Sequence, residues 1–342
     1  MQTTHTLYST DAANLPGVET GSVALVVTSP PYPVIAMWNN CFAAQNGDVA
    51  AALAEGRLDD AFEGMHVVLD RVWHEVDRVL IPGGIACVNI GDATQKDGDH
   101  FRLFSNHSRV INTFMAMGYH LLPDILWRKP TNAPNKFMGS GMYPPGAYVT
   151  LEHEYILIFR KGGKRTFKTE AEKQNRRRSA YFWEERNRFF SDLWELKGAE
   201  QTSPVARGRS AAFPYEIARR LVLMFSVQGD TVFDPFAGTL TTALAAMGNG
   251  RNSLSAEIDA DLCTHFADAL AGQQPFLAGQ TEARLRSHQA FVALRREAGD
   301  DGWYTNTPHG FEVKTRQEIE LYVPMPTDIV RAGEGIFHCR YR

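Results

Sequence analysis

The sequence predicts an α/β protein, in which a mostly parallel sheet carries helices on both faces. Two short apolar segments, Val23 to Val27 and Val232 to Phe233, each lead into a turn that contains proline or glycine, which is typical of buried strands. Stretches with the apolar spacing of helices occur between the predicted strands. Strands that alternate with helices favour parallel pairing, and such sheets bind ligands at the carboxyl ends of their strands. The two turns are therefore the first candidates for a functional site.

The other elements follow from apolar spacing and from turn residues. His5 to Ser9 is predicted to be a short strand with Asp11 behind it, and Asn39 to Glu63 to be a mobile loop or short helices near the pocket. Further predicted elements of the first half are a helix over 65–80 that stops at Ile81-Pro82-Gly83-Gly84, a strand over 85–90, a helix over 107–117, and strands over 121–127 and 156–159.

The second half is predicted in the same way. A helix opens at Phe213-Pro214, a second helix starts at Leu240, and a strand covers 252–257. Beyond residue 273 we expect a basic amphipathic helix over 281–298 and a strand pair formed by 310–323 and 336–341.

The turn Thr28-Ser29-Pro30-Pro31-Tyr32 has the composition of an acceptor-rich site. Two successive prolines remove two backbone N–H donors, so the turn presents carbonyl oxygens and the Ser29 hydroxyl without competing donors. Such a site suits an amino group that has hydrogens to donate, and Tyr32 offers a flat face on which a ring can stack. The exocyclic amine of a base meets both requirements. On these residues alone, a proline-rich surface turn is equally compatible.

A second candidate turn follows the segment at Val232. Asp234-Pro235-Phe236-Ala237-Gly238-Thr239 includes a glycine that lets a ligand approach the backbone closely. The next predicted strand ends at Glu257, where nucleotide-binding α/β folds place a carboxylate that accepts hydrogen bonds from ribose hydroxyls. The dinucleotide fingerprint G-x-G-x-x-G and the phosphate loop G-x-x-x-x-G-K-[ST] are both absent from the sequence.

Composition sets limits on the class of protein. With 342 residues, 44% hydrophobic and 22% charged, the chain is long enough for one large domain with an inserted or appended module, or for two domains. Its four cysteines are dispersed, and His153-Glu154 lacks the second histidine of H-E-x-x-H, so neither a zinc site nor a disulfide framework is indicated. We expect a reduced, cytoplasmic protein without a signal peptide or a transmembrane helix.

The formal net charge of −4 does not suggest a nucleic-acid-binding protein, but the charge is unevenly distributed. Between residues 160 and 190, eleven Lys and Arg residues face four Glu residues, a difference of 11 − 4 = +7, with Tyr181, Phe182 and Trp183 interleaved. Neutralisation of phosphates would explain this concentration. A solvated charged face is the ordinary alternative.

Together, the two turns resemble the S/D-P-P-Y and D-P-F-x-G motifs of amino-group DNA methyltransferases of the β arrangement, in which they occur in this order. The resemblance covers roughly residues 5 to 270. It implies the Rossmann-like fold of S-adenosylmethionine-dependent methyltransferases, with S-adenosylmethionine as methyl donor, no metal, and a flipped-out base of double-stranded DNA as acceptor. It also implies a nucleoid-associated enzyme of a prokaryotic or virus-infected cell. Whether the protein is a monomer or a homodimer stays open.

The resemblance assigns roles to three groups of residues. The catalytic group is Ser29, Pro30, Pro31 and Tyr32. The cofactor-binding group is Asp11, Phe213, Asp234, Pro235, Phe236, Gly238, Thr239 and Glu257. The DNA-binding group is Lys129, Lys164, Arg165, Arg176, Arg177 and Arg178.

The resemblance also divides the chain into four parts. Residues 1–159 form the catalytic half of the methyltransferase domain, 160–205 an inserted target-recognition region, 206–272 the cofactor-binding half, and 273–342 an extension of unknown role. One departure concerns Leu240, which stands where the family usually has a second glycine. Because leucine does not adopt glycine's conformations freely, the loop is expected to bend differently, or the side chain to pack against the cofactor.

For the acceptor, the absence of a Pro-Cys nucleophile motif argues against methylation at cytosine C5. Ser rather than Asp at position 29 resembles the cytosine-N4 enzymes more than most adenine-N6 enzymes, because the more basic cytosine amine asks less of the acceptor. We therefore expect direct in-line methylation of cytosine N4 after base flipping, with adenine N6 as the alternative. A restriction-modification role beside a cognate endonuclease and an orphan regulatory role are equally compatible. A protein or RNA methyltransferase and an inactive DNA-binding homologue are further alternatives.

Overall fold

The computed structural model of the chain describes residues 1–97, 100–130, 138–139, 143–198 and 213–342. Among these residues, ten strands form one central sheet, and three pairs of short strands lie outside it. The strands are β1 (Gln2–Ser9), β2 (Val23–Thr28), β3 (Leu80–Ile90), β4 (Ala93–Asp97), β5 (His100–Phe104), β6 (His120–Arg128), β7 (Met138–Gly139), β8 (Ala147–Tyr148), β9 (His153–Arg160), β10 (Leu193–Glu195), β11 (Thr231–Asp234), β12 (Asn252–Glu257), β13 (Tyr304–Thr305), β14 (Glu312–Val313), β15 (Pro326–Gly333) and β16 (Ile336–Tyr341).

Helices surround the sheet. They are α1 (Asn39–Gln45), α2 (Gly47–Ala54), α3 (Leu58–Val79), α4 (Asn106–Ala116), α5 (Glu170–Arg178), α6 (Trp183–Phe189), α7 (Tyr215–Phe225), α8 (Thr241–Gly248), α9 (Ala260–Leu270) and α10 (Gln274–Glu297). Within the described parts of the chain, no helix is both long enough and apolar enough to cross a membrane.

The direction of the strands decides where the two motif turns lie. The sheet order is β10-β6-β9-β3-β2-β11-β12-β1-β16-β15, and the five strands β3, β2, β11, β12 and β1 run parallel to one another. Their last residues therefore meet at one side of the sheet, which we call the carboxyl edge, and their first residues at the opposite side, the amino edge. β9 runs antiparallel to β3 and β6, so β9 begins and β6 ends at the carboxyl edge. The predicted mostly parallel sheet is confirmed.

Alternating side chains of β2 show why both faces of the sheet carry helices. Successive residues of a strand point to opposite faces. Val26 packs in the core that contains α3 and α4, whereas Leu25 and Val27 pack in the core that contains α7 and α8. All six residues of β2 are buried, which is the pattern of a central strand covered on both sides.

Several predicted elements have different bounds in the structure. The polar stretch over 39–63 forms α1, α2 and the start of α3, so of its two predicted forms the structure shows short helices. β3 begins at Leu80 rather than at Ile85, since Pro82, Gly83 and Gly84 continue the strand through a register shift, with Gly83 at φ 82°. The stop signal nevertheless marks the end of the helix correctly, because α3 ends at Val79.

The C-terminal strand pairing was predicted incorrectly. β16 does not pair with 310–323. It pairs with β15 and with β1, and the hairpin of β15 and β16 extends the central sheet. Residues 312–313 pair with 304–305 instead. The sequence pattern identified β16 itself. Its partner was decided by the backbone edge of β1 that β12 does not pair with, and β1 is distant in sequence. The predicted helix over 281–298 is present as part of α10.

Candidate active site

A cavity of about 550 Å³ opens at the carboxyl edge. All eight residues predicted to bind the cofactor line it, although they come from four separate stretches of the chain. They follow or end β1, β11 and β12, or precede α7, so the parallel strands bring them together. Trp38 and residues of α1, including Phe42, form part of the wall. Of the stretch 39–63 that was predicted to lie near the pocket, the first helix therefore does so.

Asp234 joins the two motif turns. The Thr28 hydroxyl donates a hydrogen bond to Asp234 Oδ1 at 2.6 Å, across 206 positions of sequence. The same oxygen accepts the backbone N–H of Phe236 at 3.0 Å, which fixes the first bend of the loop. Burial raises the pKa of the Asp234 carboxyl to about 6. A cation bound beside this carboxyl would favour its ionised form.

Two further carboxylates lie at the ends of neighbouring strands. Glu257 accepts the backbone N–H of Gly238 through Oε2 and that of Asp259 through Oε1, both at 2.9 Å. It thereby holds the glycine-containing loop against the end of β12. Asp11 follows β1, lines the cavity, and accepts the N–H of Ala13 through Oδ1 at 2.9 Å. These carboxylates can accept hydrogen bonds from amino and hydroxyl groups of a ligand.

Leu240 adopts the conformation that glycine would adopt. Its φ of 60° and ψ of 24° lie in the left-handed region. The side chain is 3% exposed and packs in the cluster that contains Leu7, Ala243 and Leu270, rather than on the cavity wall. The Leu240 side chain therefore does not pack against the cavity, which was one of the two sequence-based expectations. Leu240 is a core residue at the start of α8.

The hydroxyl groups of Ser29 and Tyr32 meet beside the cavity. They lie 3.1 Å apart, and Ser29 and Pro31 line the cavity wall. Tyr32 is buried, and its hydroxyl donates to Glu154 Oε2 at 2.9 Å and accepts from Asn89 Nδ2 at 2.8 Å. Burial, followed by the neighbouring Glu154 carboxylate, holds the pKa of Tyr32 well above its usual range. Tyr32 therefore remains protonated and has a fixed orientation.

Sequence reasoning missed Asn89 and Glu154. Asn89 donates to both Tyr32 and Glu154, and its own Oδ1 is buried without a hydrogen-bond partner among the described residues. A polar residue inside the otherwise apolar segment Ile85 to Ile90 was the available signal. Glu154 was considered with His153 solely as a metal ligand. Its real neighbours lie on other strands, which no local pattern reveals.

The loop after the motif is held by side chains from three other elements. Val34 has a φ of 62°, an outlier for a β-branched residue. Gln95 donates to the Val34 carbonyl at 2.8 Å, and Asn106 donates to the Pro33 carbonyl at 3.3 Å. The Val34 N–H points at the Met65 sulfur, 3.2 Å away. These contacts maintain a strained backbone next to Tyr32.

The six residues predicted to bind DNA do not lie together. Lys129 follows β6 at the carboxyl edge, pairs with Glu154 and stands 4.4 Å over the Trp127 ring. Arg165 instead forms two hydrogen bonds, of 2.6 and 2.9 Å, with Asp230, which directly precedes β11 at the amino edge. Lys164 is exposed beside Arg165.

The remaining three, Arg176, Arg177 and Arg178, belong to α5, which also packs at the amino edge. Asn175 of this helix donates to the Gln228 carbonyl, ahead of β11. Arg177 pairs with Glu320 at 2.9 Å, and Arg178 stacks on Tyr322. Lys164, Arg165 and the three arginines of α5 thus lie at the amino edge of the sheet. Ser29 lies at the opposite, carboxyl edge. Residues 131–137 and 199–205, where we also expected DNA contacts, lie outside the described residues.

No group of three or more His, Cys, Asp or Glu residues that could hold a metal ion occurs in the described ranges.

Comparison with known proteins identifies the family. A family model described as a DNA methylase matches residues 23–268, more than half of the chain, and this range holds both motif turns. The chain belongs to this DNA methylase family.

Two proteins of similar sequence and one solved structure resemble most of this chain. Type II methyltransferase M.MthZI of Methanothermobacter thermautotrophicus is 47% identical, covering 98% of this chain and 95% of that protein. Type II methyltransferase M.MjaI of Methanocaldococcus jannaschii is 51% identical, covering 76% of this chain and 89% of that protein. Among solved structures, TTHA0409 of Thermus thermophilus, assigned as a DNA modification methylase and solved with S-adenosyl-L-methionine, is 32% identical with a TM-score of 0.61, covering 79% of this chain and 95% of that chain. The predicted methyltransferase fold is confirmed.

Proposed function

We propose that the protein is a site-specific DNA methyltransferase that uses S-adenosylmethionine and modifies the N4 amine of cytosine. Membership of the DNA methylase family and the type II relatives support the class of enzyme and its place in a restriction-modification system. The observation that carries the proposal is the position of Ser29. It lies at the carboxyl end of β2, on the wall of the same cavity as the eight predicted cofactor-binding residues.

The cavity residues fit S-adenosylmethionine by their chemistry. Asp11 and Glu257 would accept hydrogen bonds from the adenine amino group and the ribose hydroxyls, and the Asp234 carboxyl would attract the cationic groups. A volume of about 550 Å³ is also in the ordinary range for a cofactor pocket. When bound, S-adenosylmethionine supplies an electrophilic methyl group on a sulfonium sulfur. The relative TTHA0409, solved with this cofactor, supports the assignment.

The chain's own residues would position the base amine. The lone pair of that amine is delocalised into the ring, so the amine is a poor nucleophile. Ser29 Oγ and the Pro30 carbonyl would accept its two hydrogens and favour a more tetrahedral nitrogen. The hydrogen bonds from Asn89 and to Glu154 fix the orientation of the Tyr32 ring beside Ser29. Rate acceleration would then come from positioning and electrostatics.

Cytosine N4 is favoured over adenine N6 because the first residue of the motif is neutral. Ser29 offers a hydroxyl lone pair where a carboxylate would bind the amine hydrogens more strongly. The more basic cytosine amine needs the weaker acceptor. Adenine N6 is the alternative within the same family and the same mechanism.

The test is incubation with isotopically labelled S-adenosylmethionine and duplex DNA, both mixed-sequence and genomic, followed by mass spectrometry of the nucleosides. We expect label in N4-methylcytosine, and a decrease of about 100-fold or more in the Ser29→Ala variant, since an acceptor aligned with the reacting amine is lost. Calorimetry should show that Ser29→Ala still binds S-adenosylmethionine.

Each other outcome corrects a different part of the proposal. Label in N6-methyladenine would contradict the base assignment alone. Label in protein or RNA but not in DNA would contradict the substrate class. An absence of cofactor binding in the wild-type protein would indicate an inactive homologue.

A further inference from the structure

The hydrogen bonds around Tyr32 form a chain with a definite direction. Tyr32 has a single hydroxyl proton, which it donates to Glu154 Oε2 at 2.9 Å. The 3.1 Å bond between the two hydroxyls must therefore be donated by Ser29. Ser29 Oγ keeps acceptor capacity, and Ser29 lies on the cavity wall. A proton delivered to Ser29 can thus pass to Tyr32 and then to Glu154 without any change of rotamer.

Glu154 connects this chain to the surface. Its Oε2 faces Tyr32, whereas its Oε1 pairs with the Lys129 ammonium. The Glu154 side chain is 13% exposed and that of Lys129 is 38% exposed, so the chain runs outward from the buried hydroxyl. Gly91 permits the close packing, because a Cβ there would lie 3.0 Å from the Tyr32 ring and 3.2 Å from Glu154 Cγ.

We propose that Glu154 is a positioning residue that receives, through Tyr32 and Ser29, the proton released when the base amine is methylated. This inference rests on the proposed function.

The step balances in atoms and electrons. The amine nitrogen forms its bond to the methyl carbon with its lone pair, and the carbon–sulfur bond breaks with its electron pair on sulfur. The methylated nitrogen is then cationic and loses one proton to Ser29 Oγ. The Ser29 hydroxyl proton moves to the Tyr32 oxygen, and the Tyr32 proton moves to Glu154 Oε2. The electrons of the broken N–H bond return to nitrogen, and the carboxylate becomes a carboxylic acid.

Two features of the surroundings agree with this role. Asn89 Nδ2 lies 2.8 Å from the Tyr32 oxygen, 2.7 Å from Glu154 Oε2 and 3.4 Å from Ser29 Oγ, so one amide keeps all three groups aligned. Burial and the Glu154 carboxylate raise the pKa of Tyr32. A tyrosine that resists ionisation passes a proton in concert rather than by becoming a phenolate.

The first test compares Glu154→Gln with Glu152→Gln. The control changes a glutamate two residues away that pairs with Arg128 on the surface. For Glu154→Gln we expect single-turnover methyl transfer to fall about 100-fold, with the affinities for S-adenosylmethionine and DNA unchanged. Glu154→Asp should recover part of the rate. Tyr32→Phe should lose a similar factor, and the double variant Tyr32→Phe/Glu154→Gln should be no slower than the slower single variant, because both break one chain.

The second test needs no reaction. In protein labelled with ¹³C at tyrosine Cζ, the resonance that disappears in Tyr32→Phe reports Tyr32. Without cofactor or DNA, it should shift in Glu154→Gln and stay in place in Glu152→Gln. The inference is overturned if it does not shift, or if Glu154→Gln methylates DNA within threefold of an active wild type. An inactive wild type would refute the proposed function. The spectrum would still decide whether the hydrogen bonds that link Ser29, Tyr32 and Glu154 exist.

Discussion

At the level of single residues, Leu240 combines two opposing contributions to stability. A left-handed backbone costs a residue with a Cβ about 1 kcal/mol relative to glycine. The buried side chain contributes more than that, since truncating a buried leucine to alanine commonly costs about 2 to 5 kcal/mol. The net balance therefore favours leucine at this position, because its side chain fills the core between α8, α9 and β1.

This balance predicts an unusual order of substitutions. Leu240→Gly should destabilise the protein less than Leu240→Ala, by about 1 kcal/mol in the free energy of unfolding, because glycine removes the backbone cost that alanine keeps. Leu244, one turn further along α8, is the matched control. There, in ordinary helical conformation, alanine should be better than glycine by about 1 kcal/mol. Chemical denaturation of the four variants measures both differences. The same order at both positions would contradict a left-handed Leu240.

At the level of elements, the basic segment over 160–190 packs against the rest of the domain. Arg165 anchors it to Asp230, and the Glu185 carboxylate of α6 is buried between Arg219 of α7 and Arg284 of α10. Burial raises the pKa of Glu185, but the charges of Arg284 and Arg219 outweigh it and lower the pKa to about 2. Among the described residues, four of the eleven basic side chains that suggested phosphate contacts pair with carboxylates of the chain: Lys161, Arg165, Lys173 and Arg177. Exposed cations also follow strands that end at the carboxyl edge, where Ser29 lies: Lys96 belongs to β4, which follows β3, and Lys197 follows β10.

The placement of α5 can be tested through the salt dependence of DNA binding. We expect the double variant Arg176→Ala/Arg177→Ala to bind duplex DNA within about twofold of the wild type. The matched double variant Lys96→Ala/Lys197→Ala should lower the slope of log K against log salt by up to about 2, since each phosphate contact contributes about 1. Fluorescence anisotropy over a range of salt concentrations measures both. The reverse result would support the sequence-based prediction that α5 contacts DNA.

At the level of the whole molecule, the C-terminal residues complete the central sheet. β16 pairs with β1, and the Tyr341 hydroxyl donates to the Met247 carbonyl at the end of α8. Phe337 and Cys339 are buried with residues of α8 and α9. Without this hairpin, β1 would be an edge strand next to the turns that line the cavity. The extension therefore has a structural role in the methyltransferase domain.

Neighbouring residues of β16 provide a test of this role. Phe337 is 1% exposed, whereas Ile336 is 36% exposed. Phe337→Ala should lower the free energy of unfolding by about 3 to 5 kcal/mol, and Ile336→Ala by about 1 kcal/mol or less. Unfolding in denaturant, followed by circular dichroism, gives both values. A small effect of Phe337→Ala would mean that the hairpin is not part of the cooperative core.

The local sequence was sufficient for the class of fold and for eight of the residues that line the cavity at the carboxyl edge. β2, β11 and β12 were predictable because buried strands are short apolar runs that end in turn residues. Their parallel direction followed from the helices between them, and this put Asp11, Asp234 and Glu257 at one edge. Glycine allows backbone conformations that other residues disfavour, and proline removes a backbone N–H donor. Both effects hold in any fold, so the roles of these two turns could be argued without coordinates.

Tertiary structure alone decided which side chains meet Ser29 and Tyr32, and where the basic segment lies. Asn89 and Glu154 reach Tyr32 from strands 57 and 122 positions away. No local pattern encodes such a contact, because it depends on strand order and register. The same holds for α5. Its charge is visible in the sequence, but the sequence does not show at which edge of the sheet the helix lies. The composition of a segment determines which chemical groups it can bind. The direction in which the chain crosses the sheet determines which part of the molecule the segment lies beside.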